Sequence, residues 1–197
     1  MSGDGKVDCG RRNLVFATAA VGGVATLATA VPFVASMLPS ERAKAAGAPV
    51  EVDIGSLAPG EVKVAEWRGK PVWILHRTPE MLETLKPIDD KVVDPNSQRP
   101  QQPAYAKNEA RSIKPEYLVV VGICTHFGCS PTEKLKKGAD SGMSADWPGG
   151  FICPCHGSTF DLAGRVYKNK PAPDNLIVPP HMYLTDTRIL IGEDTKA

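Results

Sequence analysis

The chain has 197 residues, with 23 Lys and Arg against 22 Asp and Glu and a formal net charge of +1. That length suits one main domain with appendages. The near-neutral balance excludes the basic footprint of a nucleic-acid binder, and five cysteines are too few for a fold built on disulfides.

At the N-terminus, Lys6, Arg11 and Arg12 precede an uncharged run from Leu14 to Leu38. About 20 apolar residues in a helix cross a bilayer core, so residues 14–38 are predicted to be a transmembrane anchor, with Pro32 kinking its far end. The basic residues keep residues 1–13 cytoplasmic. The rest then faces the periplasm of a bacterium, across the inner membrane, where disulfides persist. Arg11-Arg12 directly before the apolar run also suggests twin-arginine export. A cleaved signal with Ala43-Lys44-Ala45 as its A-x-A site is the competing reading. The apolar core of such a signal is only about 7–15 residues, which favours an uncleaved anchor. Cys9 is read as incidental, with lipid attachment as the alternative.

Residues 39–49 are Ala-rich and polar and read as a flexible tether, able to reach up to about 3.3–3.6 Å per residue. Residues 50–197 form the main domain. Val62 and Val64 alternate with charged neighbours before a turn at Arg68-Gly69-Lys70, and Val72 to Leu75 is a buried-strand candidate. Thr78-Pro79-Glu80 has the hydroxyl, proline and carboxylate of a helix start, predicting a short helix to about Leu85. Asp94 to Pro103 reads as a polar surface loop. Leu118 to Val121 and Phe151-Ile152 are further buried strands. Thr132 to Pro148 between them reads as a surface excursion, and Phe160 to Val166 as a hairpin turn. Tyr183-Leu184 and Ile189 to Ile191 close the domain around Asp186-Thr187. His76 and His181 sit in strand patterns far from any cysteine and are assigned structural roles. The fold class is mainly β, an antiparallel domain after one N-terminal helix.

The two buried strands from Leu118 and Phe151 deliver the chain to Cys124-Thr125-His126-Phe127-Gly128-Cys129 and Cys153-Pro154-Cys155-His156-Gly157-Ser158. A closed structural zinc site takes four ligands, and the six candidates here would leave a pair to be explained. A disulfide knot would leave both histidines idle. Two thiolates with two imidazoles suit an iron–sulfur cluster of high potential. An oxidised [2Fe–2S] core carries two positive charges, so four thiolates make the site doubly negative. Two neutral imidazoles in their place make it neutral, and an electron enters a neutral site at far less electrostatic cost. A metal-bound imidazole also keeps a second nitrogen for a proton, which suits a substrate that loses both, such as a quinol. Zinc remains the alternative, separable by colour and metal analysis.

These boxes resemble those of the Rieske iron–sulfur subunits of respiratory cytochrome bc complexes, the ubiquinol–cytochrome c reductases. Trp67-Arg68-Gly69-Lys70-Pro71, His76-Arg77-Thr78 and Lys170-Pro171-Ala172-Pro173-Asp174-Asn175-Leu176 are similar to the base domain and proline loop of that family, although the family often has Gly where Lys170 stands. The resemblance implies a Rieske-type β domain with an inserted cluster lobe at about 120–175 and one [2Fe–2S] cluster. Cys124 and Cys153 would bind one iron, and His126 and His156 the other. Cys129 and Cys155 would form a disulfide. Gly128, Gly157, Ser158 and Phe160 would surround the cluster, and Pro171, Ala172 and Pro173 would cover it.

The family resemblance further implies that His156 faces quinol as the catalytic group and that the electron passes to a membrane-anchored c-type cytochrome. The partners it implies are cytochrome b and that c-type cytochrome, in a dimeric, proton-translocating oxidoreductase complex. The small subunit of another exported oxidoreductase, such as an arsenite oxidase, is the alternative. Many members have Tyr where this chain has Phe160, which removes one hydrogen bond to a ligand sulfur and implies a lower potential than theirs.

Overall fold

The computed structural model describes residues 9–194; residues 1–8, with Lys6, lie outside them. The chain divides into two units, residues 1–45 and 46–197.

In the first unit, helix α1 spans Cys9–Ser36 and carries Pro32 inside it. It is long and apolar enough to cross a membrane. It starts earlier than the uncharged run, taking Arg11 and Arg12 into the helix, because charges limit membrane burial but do not stop helix propagation. The hydroxyls of Thr18, Thr26 and Thr29 donate to the carbonyls of Leu14, Gly22 and Ala25 one turn back. The hydroxyls of these three threonines are thereby satisfied within the helix. The segment read as a tether contains a short helix, α2 (Glu41–Ala46), started by the Ser40 hydroxyl, which accepts from the Ala43 N–H at 3.2 Å. Ala, Glu, Lys and Arg are strong helix formers and Ser caps them, so this stretch is shorter than an extended tether.

The second unit consists of three antiparallel sheets, each three-stranded. The first orders β1 (Val50–Asp53), β9 (Arg188–Ile191) and β8 (His181–Thr185); the second orders β2 (Val62–Trp67), β3 (Lys70–His76) and β4 (Tyr117–Val121). The third orders β5 (Thr132–Lys134), β6 (Gly150–Ile152) and β7 (Thr159–Phe160). Arg68 and Gly69, both at positive φ (53° and 69°), join Trp67 to its partner Lys70 in the tight hairpin geometry that matches strand twist. The middle sheet is buried on both faces. Val72, Ile74, Val119 and Val121 pack with Val52, Ile189 and Ile191 of the first sheet. Trp73, Leu75, Leu118 and Val120 pack with Phe151 and Phe160 of the third and with Cys124 and Cys153 of the loops beside it. Double burial is why β3 and β4 read as continuous apolar runs rather than alternating ones. Trp73 stacks on Phe151 with ring centroids 5.1 Å apart and ties the third sheet to the second.

Helix α3 (Pro79–Leu82) starts at Thr78, whose side chain accepts from the Met81 N–H, as the Thr-Pro-Glu signal predicts, but it ends at Leu82 rather than at about Leu85. His76 stacks on Tyr117 and its Nδ1 bonds the Leu57 carbonyl at 2.8 Å. His181 is buried, with Nδ1 on the Pro179 carbonyl at 2.9 Å, and burial lowers its pKa. Both are structural.

Two loops differ from their sequence reading. Asp94, Ser97 and Gln102 of the 94–103 loop are buried. Asp94 accepts from the N–H groups of Gln98 and Arg99, and Gln102 donates to the Ser97 and Arg99 carbonyls. The loop looks polar because it supplies its own buried hydrogen bonds. Likewise, the excursion after Thr132 contributes β5 to the third sheet and buries Trp147, whose Nε1 donates to the Lys134 carbonyl.

Candidate metal centre

The two boxes are loops of matching backbone design. In the first, the Cys124 N–H donates to the Cys129 carbonyl at 2.8 Å and the Gly128 N–H to the Cys124 carbonyl at 3.0 Å. In the second, the Cys153 N–H donates to the Ser158 carbonyl at 2.7 Å and the Gly157 N–H to the Cys153 carbonyl at 2.9 Å. Each loop closes on itself through a glycine at positive φ, 81° at Gly128 and 72° at Gly157, where an L side chain would be strained. The glycine N–H groups therefore go to carbonyls, and it is the turn that demands glycine.

The structure brings all six predicted Cys and His together. The Cys129–Cys155 disulfide joins the loops across a sequence separation of 26. The Cys153 sulfur lies within 4.8 Å of both disulfide sulfurs, but those two are bonded to each other and leave Cys153 as the donor of that group. Cys124 and Cys153 are both buried. Their side chains adjoin, and burial pushes the Cys124 thiol up in pKa. A bound cation reverses that tendency, since a coordinating thiol is deprotonated outright. The His126 and His156 rings stand edge to face, centroids 4.8 Å apart. His126 Nδ1 is buried without a hydrogen-bond partner, a costly state for a ring nitrogen and the one expected of an atom reserved for metal. His156 and Phe127 are exposed, placing an imidazole and a phenyl ring at the surface of the site. Two adjoining thiols and two facing imidazoles fit a mixed sulfur–nitrogen cluster.

The proline loop is pinned to both boxes. The Ala172 N–H donates to Ser158 Oγ at 3.0 Å, and Thr125 Oγ1 donates to the Asp174 carbonyl at 2.6 Å. Ser158 Oγ, having accepted from Ala172, keeps its own hydrogen for the Cys124 sulfur beside it. Pro171 and Pro173 are exposed while Ala172 is buried. Arg99 reaches over from the 94–103 loop to the Pro173 carbonyl and the Asp174 carboxylate, both at 2.7 Å.

Phe160 is fully buried in the core that contains Cys124 and Cys153. Phe160→Tyr restores a hydroxyl donor there. One such bond favouring the reduced, more negative cluster by about 1–2 kcal/mol raises the midpoint by about 40–90 mV. Redox titration followed by electron paramagnetic resonance checks this; an unchanged midpoint shows that the hydroxyl does not reach a sulfur.

Sequence reading missed three buried arginines, Arg77, Arg111 and Arg165. They hold the segment after the second box, donating to the carbonyls of Leu162, Ala163 and Gly164 and to the Asp161 carboxylate. Nothing local marks them, because an arginine in a polar stretch reads as a surface residue.

Paired Cys/His loops carried by a three-stranded sheet beside a larger antiparallel body define a Rieske-type iron–sulfur domain. Residues 98–180 match the family model of the Rieske [2Fe-2S] domain, and residues 1–40 that of the ubiquinol–cytochrome c reductase Fe-S subunit TAT signal. The ubiquinol–cytochrome c reductase iron–sulfur subunit of Allochromatium vinosum is 61% identical over 194 residues, covering 98% of this chain and 93% of that one. The subunit of the same name from Blastochloris viridis is 40% identical over 98% of both chains. A chain of a solved hyperthermophilic respiratory Complex III aligns at 24% identity and a TM-score of 0.48, covering 89% of this chain and 98% of that one. The chain belongs to the family of Rieske iron–sulfur subunits of ubiquinol–cytochrome c reductase. It is an iron–sulfur electron carrier of an oxidoreductase complex, and its cofactor is a [2Fe–2S] cluster.

Proposed function

We propose that Cys124 and Cys153 hold one iron and His126 and His156 the other, and that the subunit carries single electrons from quinol to a membrane-anchored c-type cytochrome. The observation that carries this reading is the buried, unpartnered Nδ1 of His126, on a ring whose centroid lies 4.8 Å from that of the exposed His156 ring, together with two adjoining buried thiols. The bound cluster supplies reversible one-electron chemistry at high potential.

The residues supply the rest. His156, exposed at the surface of the site, offers its outer ring nitrogen to the quinol hydroxyl and takes the proton as the electron leaves the quinol. His126 is half-buried and takes no part in that contact. Exposed Phe127 packs against His126 at 3.9 Å between ring centroids and lies 6.0 Å from His156. It gives the quinol and a docking partner an apolar surface beside the imidazole. The proline loop keeps water from the sulfurs.

Helix α1 serves as an uncleaved inner-membrane anchor, with residues 1–13 cytoplasmic and residues 50–197 periplasmic. Residues 39–49, including α2, link the two and let the domain move between cytochrome b and the c-type cytochrome of a dimeric complex. Purification from membranes in mild detergent tests this directly. The expected preparation contains iron, b-type and c-type haem and a chain that retains Leu14 to Leu38. Zinc in place of iron, or a chain beginning at Ala46, defeats the corresponding part.

Proton coupling sets a pH dependence with a definite sign. Withdrawing an electron acidifies the outer N–H of a ligand histidine, so the oxidised form loses that proton at lower pH than the reduced form. Rising alkalinity then stabilises the oxidised form, and the midpoint falls. The slope approaches about 59 mV per pH unit for one proton per electron and steepens where both histidines titrate. A midpoint flat from neutral to strongly alkaline pH would falsify proton transfer at these rings.

A further inference from the structure

Arg111 is fully buried, yet every acceptor its guanidinium reaches is neutral. It donates to the carbonyls of Ala163 and Gly164 at 3.1 and 3.2 Å, to the Leu176 carbonyl at 2.6 Å and to Gln102 Oε1 at 3.0 Å. Its Nε has no partner. The nearby carboxylates are engaged by other donors: Asp161 by Arg165 and two backbone N–H groups, and Asp94 by the N–H groups of Gln98 and Arg99. Arg77 is built the same way, on the carbonyls of Pro115, Ala110 and Leu162 and on Ser112 Oγ. Burial lowers both guanidinium pKa values to about 10, so both remain charged at neutral pH. A buried cation bonded only to neutral groups is costly, and carbonyls could be satisfied by uncharged donors.

The position of the charge gives it a use. Leu176 lies four residues beyond Ala172, whose N–H bonds Ser158 of the second box. Four extended residues span at most about 13–14 Å. The Arg111 side chain also lies 3.2 Å from where a Gly164 Cβ would stand, in a crevice shared with Val120 of β4, the strand that leads into the first box. A positive charge buried at this range acts through protein rather than solvent, where screening by salt is weak. It favours whichever state of the site is more negative, which is the reduced one.

We infer that Arg111, supported by Arg77, is a fixed internal counter-charge that raises the midpoint of the cluster. The inference rests on the ligand assignment proposed above. Arg111 touches neither substrate nor cluster, so it is a positioning and tuning residue rather than a catalytic one.

The test compares Arg111→Met and Arg111→Lys in the full-length protein, in membranes, by redox titration of the cluster's paramagnetic signal. Arg111→Lys keeps the charge and loses most of the hydrogen bonds; Arg111→Met loses both. The expected result is a lower midpoint in Arg111→Met and a midpoint near wild type in Arg111→Lys. Equal midpoints in all three proteins, or equal drops in both variants, overturn the inference and leave Arg111 a clamp. If neither variant assembles a cluster, Gln102→Glu decides. Gln102 Oε1 already accepts from Arg111 Nη2 at 3.0 Å, so the substitution sets a carboxylate against the guanidinium and cancels its charge without removing the side chain. The expected result is a lower midpoint; an unchanged or higher value overturns the inference. Absence of a mixed-ligand signal from the wild-type membranes is a separate outcome, which defeats the ligand assignment itself.

Discussion

His156→Cys is expected to abolish quinol oxidation while leaving the domain folded. The side chain is exposed, so the substitution leaves no cavity in the core. A cysteine replaces a neutral donor with a thiolate and makes both oxidation states more negative by one charge. Full replacement of imidazoles by thiolates separates sites of about −150 to +300 mV from sites near −400 mV. One ligand of two should therefore lower the midpoint by roughly 125–350 mV, half of that gap. A drop of 200 mV within that range disfavours electron acceptance about 2,400-fold. The variant also loses the outer nitrogen proposed to receive the quinol proton, so both requirements of the proposed reaction fail together. Titration in membranes and a quinol–cytochrome c reductase assay measure the two effects. A wild-type midpoint, or turnover within tenfold of wild type, removes His156 from the ligand set.

The second large effect is at the disulfide. Cys129 and Cys155 cross-link two loops that otherwise meet only through the side chains they present to each other and through the proline loop. Over the separation of 26 residues, chain-entropy arithmetic gives about 3.5 kcal/mol. The double replacement Cys129→Ser, Cys155→Ser should lower the thermal midpoint of the domain by about 7–14 °C. It should also cost cluster content, because the loops that carry the four donors are then free to open to water. Iron per polypeptide and the temperature at which the visible circular dichroism is lost provide the measurement. Unchanged values for both show that the sheet and the proline loop hold the site without the cross-link.

Much of this molecule is legible along the chain. Cys124, His126, Cys153 and His156 stand in short boxes because each loop must present its donors within one turn of backbone. The uncharged run from Leu14 to Leu38 is legible because a helix long and apolar enough to cross a membrane needs about 20 apolar residues in succession. Val72 to Leu75 and Leu118 to Val121 declare themselves because a strand buried on both faces has no polar position. Thr78-Pro79 starts α3 by bonds confined to four residues, and such local rules survive in sequence.

Other features are not written locally. The 94–103 loop reads as surface because it is polar, but its polarity is spent inward, on Asp94 and Gln102. The helix at Glu41 hides in an Ala-rich stretch that composition alone reads as a linker. Arg77, Arg111 and Arg165 are the clearest case: their partners lie up to 85 positions away, as with Arg77 and Leu162, and no pattern near each arginine distinguishes a buried cation from a solvated one.

The chain's own order of residues determined the kind of candidate donors, their grouping into two boxes, the apolar helix and most strands, since each depends on neighbours within a few positions. Only the folded arrangement decided that His126 is shielded while His156 is open, that the proline loop is tied to both boxes, and that guanidinium charge lies buried among neutral acceptors. Those properties come from distance through space, and burial is a sum over segments that the linear chain keeps far apart.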